Sequence, residues 1–331
     1  MTDRRPIEQG QAMKNGRPGG TTDWKGSITE RGTSMDSYYG RPIVKEPVWN
    51  PEIPVYFFTG GVAGASAVLH GVAKLTGNER LAQSSLYIGA AMDAVSPVLL
   101  IKDLGRPERF LHMLRMFKVT SPMSVGSWIL LASSGAANTA AARELLGILK
   151  PVKVLANIVS FVTGPPLATY TGALVANTAI PVWSEARDEL PWVFGASAAA
   201  SAGAAAAIFT PPEHAGPARR AAVAGAAVEL GLVQAMEHRL GFVGEVYKQG
   251  EAGRFAKLSK ACTVAGAGLI ALKGKRSRTA AVTGSALVLA GELALRWSVF
   301  KAGFQSARDP RYTVLPQKER LANERKGAEQ R

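Results

Sequence analysis

Five ionisable residues sit inside long apolar windows of the chain: His70, Asp93, Glu229, Glu292 and Arg296. A charge in hydrocarbon costs about 2.5 to 3.5 kcal/mol on insertion scales, so each is a candidate for proton transfer or ligand binding. Glu292 and Arg296 are four apart, on one face of a helix, and can form a structural ion pair instead. Asp93 and Glu229 have no such local partner; a proton or ligand role stands for them beside plain hydrogen bonding to a neighbouring helix. Glu237 and His238 follow at the end of one window and join the proton-transfer candidates. The single cysteine, Cys262, excludes an internal disulfide and a Cys-ligated zinc or iron–sulfur centre in this chain. No metal site is expected.

The elements that must hold these residues follow from the distribution of charge. The 331 residues have a mean hydropathy of only +0.06, but residues 1–50 and 305–331 are polar, and the long apolar runs lie between them. A bilayer core of about 30 Å needs about 20 apolar residues as a helix. Pro54–Ala73, Val119–Ala142, Val154–Ser184 and Leu190–Pro212 contain no Asp, Glu, Lys or Arg, and Leu81–Ile101 contains only Asp93. Ala221–Met236, Ala261–Leu272 and Thr279–Leu295 are less clean. The pattern predicts an all-α integral membrane protein of eight transmembrane helices, near 53–75, 81–102, 122–142, 151–178, 191–209, 217–238, 257–273 and 278–302. They suit two four-helix bundles over residues 51–304, flanked by a polar N-terminal extension (1–50), disordered or partner-binding, and a polar C-terminal tail (305–331). The alternative is a soluble protein with buried alanine-rich helices; small residues such as those of "GASAAASAGAAAAIF" (195–209) also serve close packing in lipid. Pro165 and Pro166 must break or kink the fourth helix, because each removes a backbone donor.

The formal net charge of +14 falls mainly on the connections on the N-terminal side of the membrane, which argues against nucleic acid as a partner. By the positive-inside rule both termini and residues 102–118 are cytoplasmic, in a multi-pass protein of the cell membrane. "MTDRRPIEQGQAMKNGRPGG" has charges but no apolar core after them, so it does not read as a secretory signal. Haem would require axial histidines at matching depth on facing helices. His70 falls near the outer face, His238 at the inner end of the sixth span, and His112 and His214 in connections, so no haem is expected.

"SPVLLIKDLGRPERFLHML" (96–114) runs from a span straight into charge. Asp103 can cap a following turn, Gly105 permits a tight bend and Pro107 suits a first helical position. Phe110, Leu111, Leu114 and Phe117 then fall at helical spacing, opposite Arg106, Arg109, Arg115 and Lys118, the pattern of a short helix in the membrane interface. A basic loop touching anionic lipid is the plainer alternative; either surface would also receive a partner protein.

The run "DLGRPERFLHMLRMFKVTSPMSVGSWIL" (103–130) resembles the signature region of the NrfD-like, or polysulfide reductase membrane-subunit, family. "PVYFFTGGVAGASAVLHG" (54–71) is similar to its first span and "ELALRWSVFKAG" (292–303) to its last, so the resemblance covers residues 47–310. It implies a haem-free membrane subunit that binds a quinone, menaquinone or ubiquinone. Electrons would pass between that quinone and a ferredoxin-like iron–sulfur subunit, joined to a catalytic molybdenum or tungsten oxidoreductase of the formate dehydrogenase or polysulfide reductase kind. Polar residues of the first and fourth helices are implied to surround the quinone, which here directs attention to Tyr56, Thr59 and Tyr170; Asp103 and Arg106 match the motif directly and are expected at the pocket mouth or the partner surface. Two readings from other classes stand beside this one: a proton or ion transporter using Asp93, Glu229 and Glu292, and a passive membrane anchor.

Overall fold

The computed structural model describes residues 42–106, 108–147 and 153–329. The N-terminal extension up to Arg41, Pro107 and the connection at 148–152 lie outside the described residues. No strand occurs among the described residues. The helices are α1 (Glu52–Leu75), α2 (Glu79–Leu104), α3 (Glu108–Met113), α4 (Pro122–Leu146), α5 (Lys153–Ala176), α6 (Pro181–Glu185), α7 (Leu190–Phe209), α8 (Gly216–Leu240), α9 (Gly250–Lys273), α10 (Arg278–Arg308) and α11 (Arg311–Glu329), with a 3-10 segment at Val243–Lys248.

Six of them, α1, α2, α5, α7, α9 and α10, are long and apolar enough to cross a membrane. Two further helices of 25 residues, α4 and α8, match the expected third and sixth spans in length but fall short in apolar composition. In α4 the dilution comes from Ser133, Ser134, Asn138 and Thr139; in α8 it comes from Arg219, Arg220, Glu229 and Glu237. The expected seventh span begins earlier than its charges suggested, at Gly250, and reaches 24 residues.

Local signals set several ends. Asn78 and Ser121 accept from the backbone N–H of Leu81 (3.2 Å) and Ser124 (3.4 Å), capping α2 and α4. Gly105, at φ 69°, closes α2 in the left-handed conformation that only glycine adopts freely. The Pro165–Pro166 pair does not break α5, which runs through it uninterrupted. The hydroxyl of Thr169 donates back to Pro165 O at 3.0 Å. The expected interfacial helix is shorter than its pattern: α3 spans only six residues, so Phe117 falls outside it and packs edge-on against Trp128, with 6.4 Å between ring centroids.

Helix pairs pack through small residues. A Cβ on Gly64 of α1 would lie 2.5 Å from Gly164 O of α5, and one on Gly266 of α9 would lie 2.5 Å from Gly284 O of α10, so at both crossings the backbones nearly touch. Alanine-rich α7 packs against α1, α5, α8 and α10. Ala198, Ala200, Ala202, Ala204 and Ala206 are all fully buried, which explains a helix of modest side-chain hydrophobicity: its surroundings are protein, and closeness matters more than apolar bulk. On α5, by contrast, Val154, Leu155, Ile158 and Val162 form an exposed apolar stripe, the face that lipid covers.

Candidate functional site

The first polar site lies where α1, α2 and α4 meet. Asp93 is wholly buried. The Ser133 hydroxyl donates to its Oδ2 at 2.9 Å, and Ser134 reaches its Oδ1 (3.3 Å) and its backbone carbonyl (3.0 Å). Toward α1, the Ser96 and Thr59 hydroxyls are 2.8 Å apart, and Thr59 also reaches Tyr56 O at 3.3 Å. Tyr56 is buried with its hydroxyl unpartnered, close enough to Asp93 to feel its charge. Three expected residues, Tyr56, Thr59 and Asp93, are thus brought together. Tyr170 is half-buried on α5 and packs over Gly126 of α4, where a Cβ would lie 2.1 Å from its ring.

Beside this site an apolar groove of about 490 Å³ runs between α2 and α4, lined by Ala90, Ala94, Ala141 and Leu145 with Tyr87 and Asn138 at its polar points. Such a mainly apolar recess with few polar groups is the usual shape of a small-molecule site.

The second site lies among α7, α8, α9 and α10. Glu229, Glu292 and Arg296 are each at most 1% exposed. They do not form the expected ion pair: no carboxylate oxygen of either glutamate is within 4.0 Å of Arg296. The guanidinium turns instead to α7, donating to Phe194 O at 3.0 Å and lying 3.7 Å over the Phe194 ring. Gly61 on α1 lies against it, a Cβ there standing 3.4 Å from Arg296 Nη2, an ordinary contact. Ser197 and Thr263 flank Glu292, yet neither of its carboxylate oxygens makes a hydrogen bond, and Glu229 Oε2 is also unpartnered.

From Glu229 a cavity of about 10 Å³, at the lower limit for one water, leads past Tyr247 to Glu237 and Lys260. Lys260 pairs with Glu237 at 2.8 Å. Tyr247 lies in the 3-10 segment outside the spans, and burial pushes its hydroxyl above the ordinary phenol range. His238 is exposed and lies outside the lining of this cavity.

The expected motif residues Asp103 and Arg106 lie at the end of α2. Asp103 does not cap the turn after it; its Oδ1 accepts from Asn50 N at 2.9 Å, and its carbonyl accepts from Asn50 Nδ2 at 3.3 Å. The motif therefore ties the close of α2 to the strap that leads into α1, beside the Glu52–Lys102 pair (2.7 Å). Arg106 is exposed and has no ion pair among the described residues. Arg115 and Lys118, also exposed, extend the basic surface. The same strap is pinned by Glu46 to Arg308 (2.9 Å) and by Trp49 stacked on buried Trp183 (5.3 Å).

His70 lies at the opposite helix end. Its Nδ1–H donates to Ala82 O at 2.8 Å and Nε2 is unpartnered.

Ser96, Ser133, Ser134, Ser197 and Thr263 were not singled out from sequence. Hydroxyls carry little insertion cost and leave no signal until the helix register is known.

No curated protein matches the chain. A family profile described as polysulfide reductase, of the NrfD type, matches residues 35–309, which include every helix of both polar sites. With its membrane-crossing helices and its Asp103–Arg106 motif, the chain belongs to the NrfD-like polysulfide reductase family as a multi-pass membrane protein.

Proposed function

We propose that the chain is the quinone-binding membrane anchor of a multi-subunit oxidoreductase. Family membership and helix packing support eight spans in two four-helix groups, α1, α2, α4 and α5 and then α7 to α10, with α7 touching both groups; the excess of Lys and Arg on the N-terminal side supports cytoplasmic termini. The carrying observation is Tyr56: a buried hydroxyl with no partner, beside an aspartate that two serines hold in place. Reduction of a quinone takes up two electrons and two protons. In this reading the Tyr56 hydroxyl donates to one ring oxygen, and Asp93, held by Ser133 and Ser134, positions the cluster beside it. The groove between α2 and α4 is the apolar approach from lipid. Menaquinone and ubiquinone both fit these terms.

Electrons would come from, or go to, a ferredoxin-like iron–sulfur subunit coupled to a molybdenum or tungsten enzyme. The exposed basic surface around Arg106, Arg115 and Lys118, beside the Asn50–Asp103 joint, is suited to receive it. Glu229, Glu292 and Arg296 would carry protons, with Glu237 and Lys260 at their water-facing end.

Purification with native partners, followed by cofactor identification and quinone turnover, tests the reading. Tyr56→Phe should keep assembly and lower turnover by about 10²-fold, the range for losing a positioned proton donor. A complex without an iron–sulfur protein, or full activity in Tyr56→Phe, would refute it. The buried Glu229–Glu292–Arg296 set, with both Glu292 oxygens unpartnered, favours a second reading, a proton transporter, which should move protons in vesicles without any partner.

A further inference from the structure

The connection between α9 and α10 is short, yet the run "KGKRSR" (273–278) places Lys273, Lys275, Arg276 and Arg278 on it or at its edges. No Asp or Glu occurs between Glu251 and Glu292, so neither helix supplies a counter-charge near the turn. The turn is tight: the backbone N–H groups of Arg276 and Ser277 both donate to Lys273 O, at 3.0 and 2.9 Å, which gathers the cations around one bend. Of the four, Arg278 is used within the protein. Its guanidinium donates to Ala207 O (2.9 Å) and Thr210 O (3.1 Å), satisfying carbonyls that the end of α7 leaves open. Lys273, Lys275 and Arg276 are exposed and have no ion pair among the described residues.

Helix lengths set the depth of this turn. α10 runs 31 residues, about 46 Å, from the turn to Arg308, which pairs with Glu46 of the strap, so the turn lies on the face away from the strap. α9, with 24 residues, is about 36 Å long against a hydrocarbon core of about 30 Å, and its last turn emerges at head-group depth. Leu272 is 82% exposed, and Phe209, at the end of α7 that Arg278 closes, is 68% exposed. Apolar side chains this open at the ends of membrane-crossing helices mark the level where hydrocarbon stops. So short a turn carries its cations little beyond that level, and they meet lipid head groups before any soluble protein.

We propose that the α9–α10 turn is a lipid-binding surface, in which Lys273, Lys275 and Arg276 hold the phosphates of anionic phospholipids of the phosphatidylglycerol type. Lysine and arginine stems of this length lie along apolar surface while their charged heads reach the phosphate layer. A zwitterionic lipid brings its own cation to the same place and gains less. Each cation at the surface favours the anionic lipid by about fivefold.

The test is native mass spectrometry of the purified full-length protein in detergent, offered phosphatidylglycerol and phosphatidylcholine at equal concentration. Phosphatidylglycerol should be retained in preference. Combined Lys273→Gln, Lys275→Gln and Arg276→Gln should weaken its tightest binding on the order of 100-fold, with phosphatidylcholine unchanged. All three side chains are exposed, so the variant keeps the fold. A matched variant, Lys248→Gln with Lys257→Gln and Lys318→Gln, removes the same charge from exposed positions elsewhere and should keep the tightest binding. An affinity unmoved by the turn variant, or an equal loss in the matched one, would overturn the proposal. So would equal retention of the two lipids, which would leave the turn to an acidic protein.

Discussion

Asp93 and Glu292 are equally buried, and their carboxylates are treated in opposite ways. Both oxygens of Asp93 accept from serines of α4, whereas neither oxygen of Glu292 has a partner, although Ser197 and Thr263 stand beside it. Arginine four residues on does not repair this: its Nη2 donates to Phe194 O, its Nε and Nη1 are themselves unpartnered, and no glutamate oxygen lies within 4.0 Å of it. A satisfied buried carboxylate fixes helix register; an unsatisfied one stores a cost of about 1 to 3 kcal/mol or more that a proton or a water can relieve. The difference separates a positioned group, at Asp93, from a set whose charge is open to exchange.

The comparison fails most visibly at Arg296. Arg296→Met would leave two buried glutamates without their nearby cation, and unfolding in detergent should show a loss of about 3 to 5 kcal/mol. Adding Glu292→Gln to that variant should recover a large part. A loss under about 1 kcal/mol would mean that the second site is not an electrostatic unit. The helix crossings give a control without charge: Gly266→Val places a Cβ 2.5 Å from Gly284 O, and overpacking of this kind costs about 1 to 3 kcal/mol. Gly164→Val, at 2.7 Å from Gly64 O, should cost a similar amount in the other half.

Much of this was legible before any coordinates. Insertion cost alone pointed to Asp93, Glu229, Glu292 and Arg296, and all four are buried. What charge-free windows misjudged was composition and extent: α9 begins seven residues before its expected start, because Glu251 and Arg254 in its first turns read as loop. The Glu292–Arg296 spacing suggested a pair, but rotamer choice depends on a neighbour from another helix, Phe194, and spacing along one helix says nothing of that. Glu237 and His238 are neighbours in sequence, yet His238 is exposed while Glu237 turns to Lys260, since adjacent helix positions point about 100° apart.

Substitutions at Asp93 sharpen the contrast from the satisfied side. Asp93→Leu removes the acceptor of two buried hydroxyls and should destabilise by about 1 to 3 kcal/mol in the same unfolding measurement. The cost is bounded because each serine can turn to the carbonyl four residues back. Asp93→Asn keeps an acceptor for one serine and offers its amide to the other, so stability should change by under about 1 kcal/mol. Ser133→Ala together with Asp93→Asn should be non-additive, as expected for residues in one hydrogen-bond network.

The smallest expected effect is the most discriminating. Glu292→Gln conserves shape and removes a charge that no hydrogen bond stabilises, so the variant should be as stable as the parent or more so, by about 1 kcal/mol. The two neighbouring hydroxyls can accept from the new amide, and Arg296 keeps its bond to Phe194, which does not involve Glu292. Removing the carboxylate also relieves repulsion with Glu229. If Glu292→Gln instead costs as much as Asp93→Leu, then Glu292 is held as firmly as Asp93, and the distinction between a positioned and an exchangeable acid is lost.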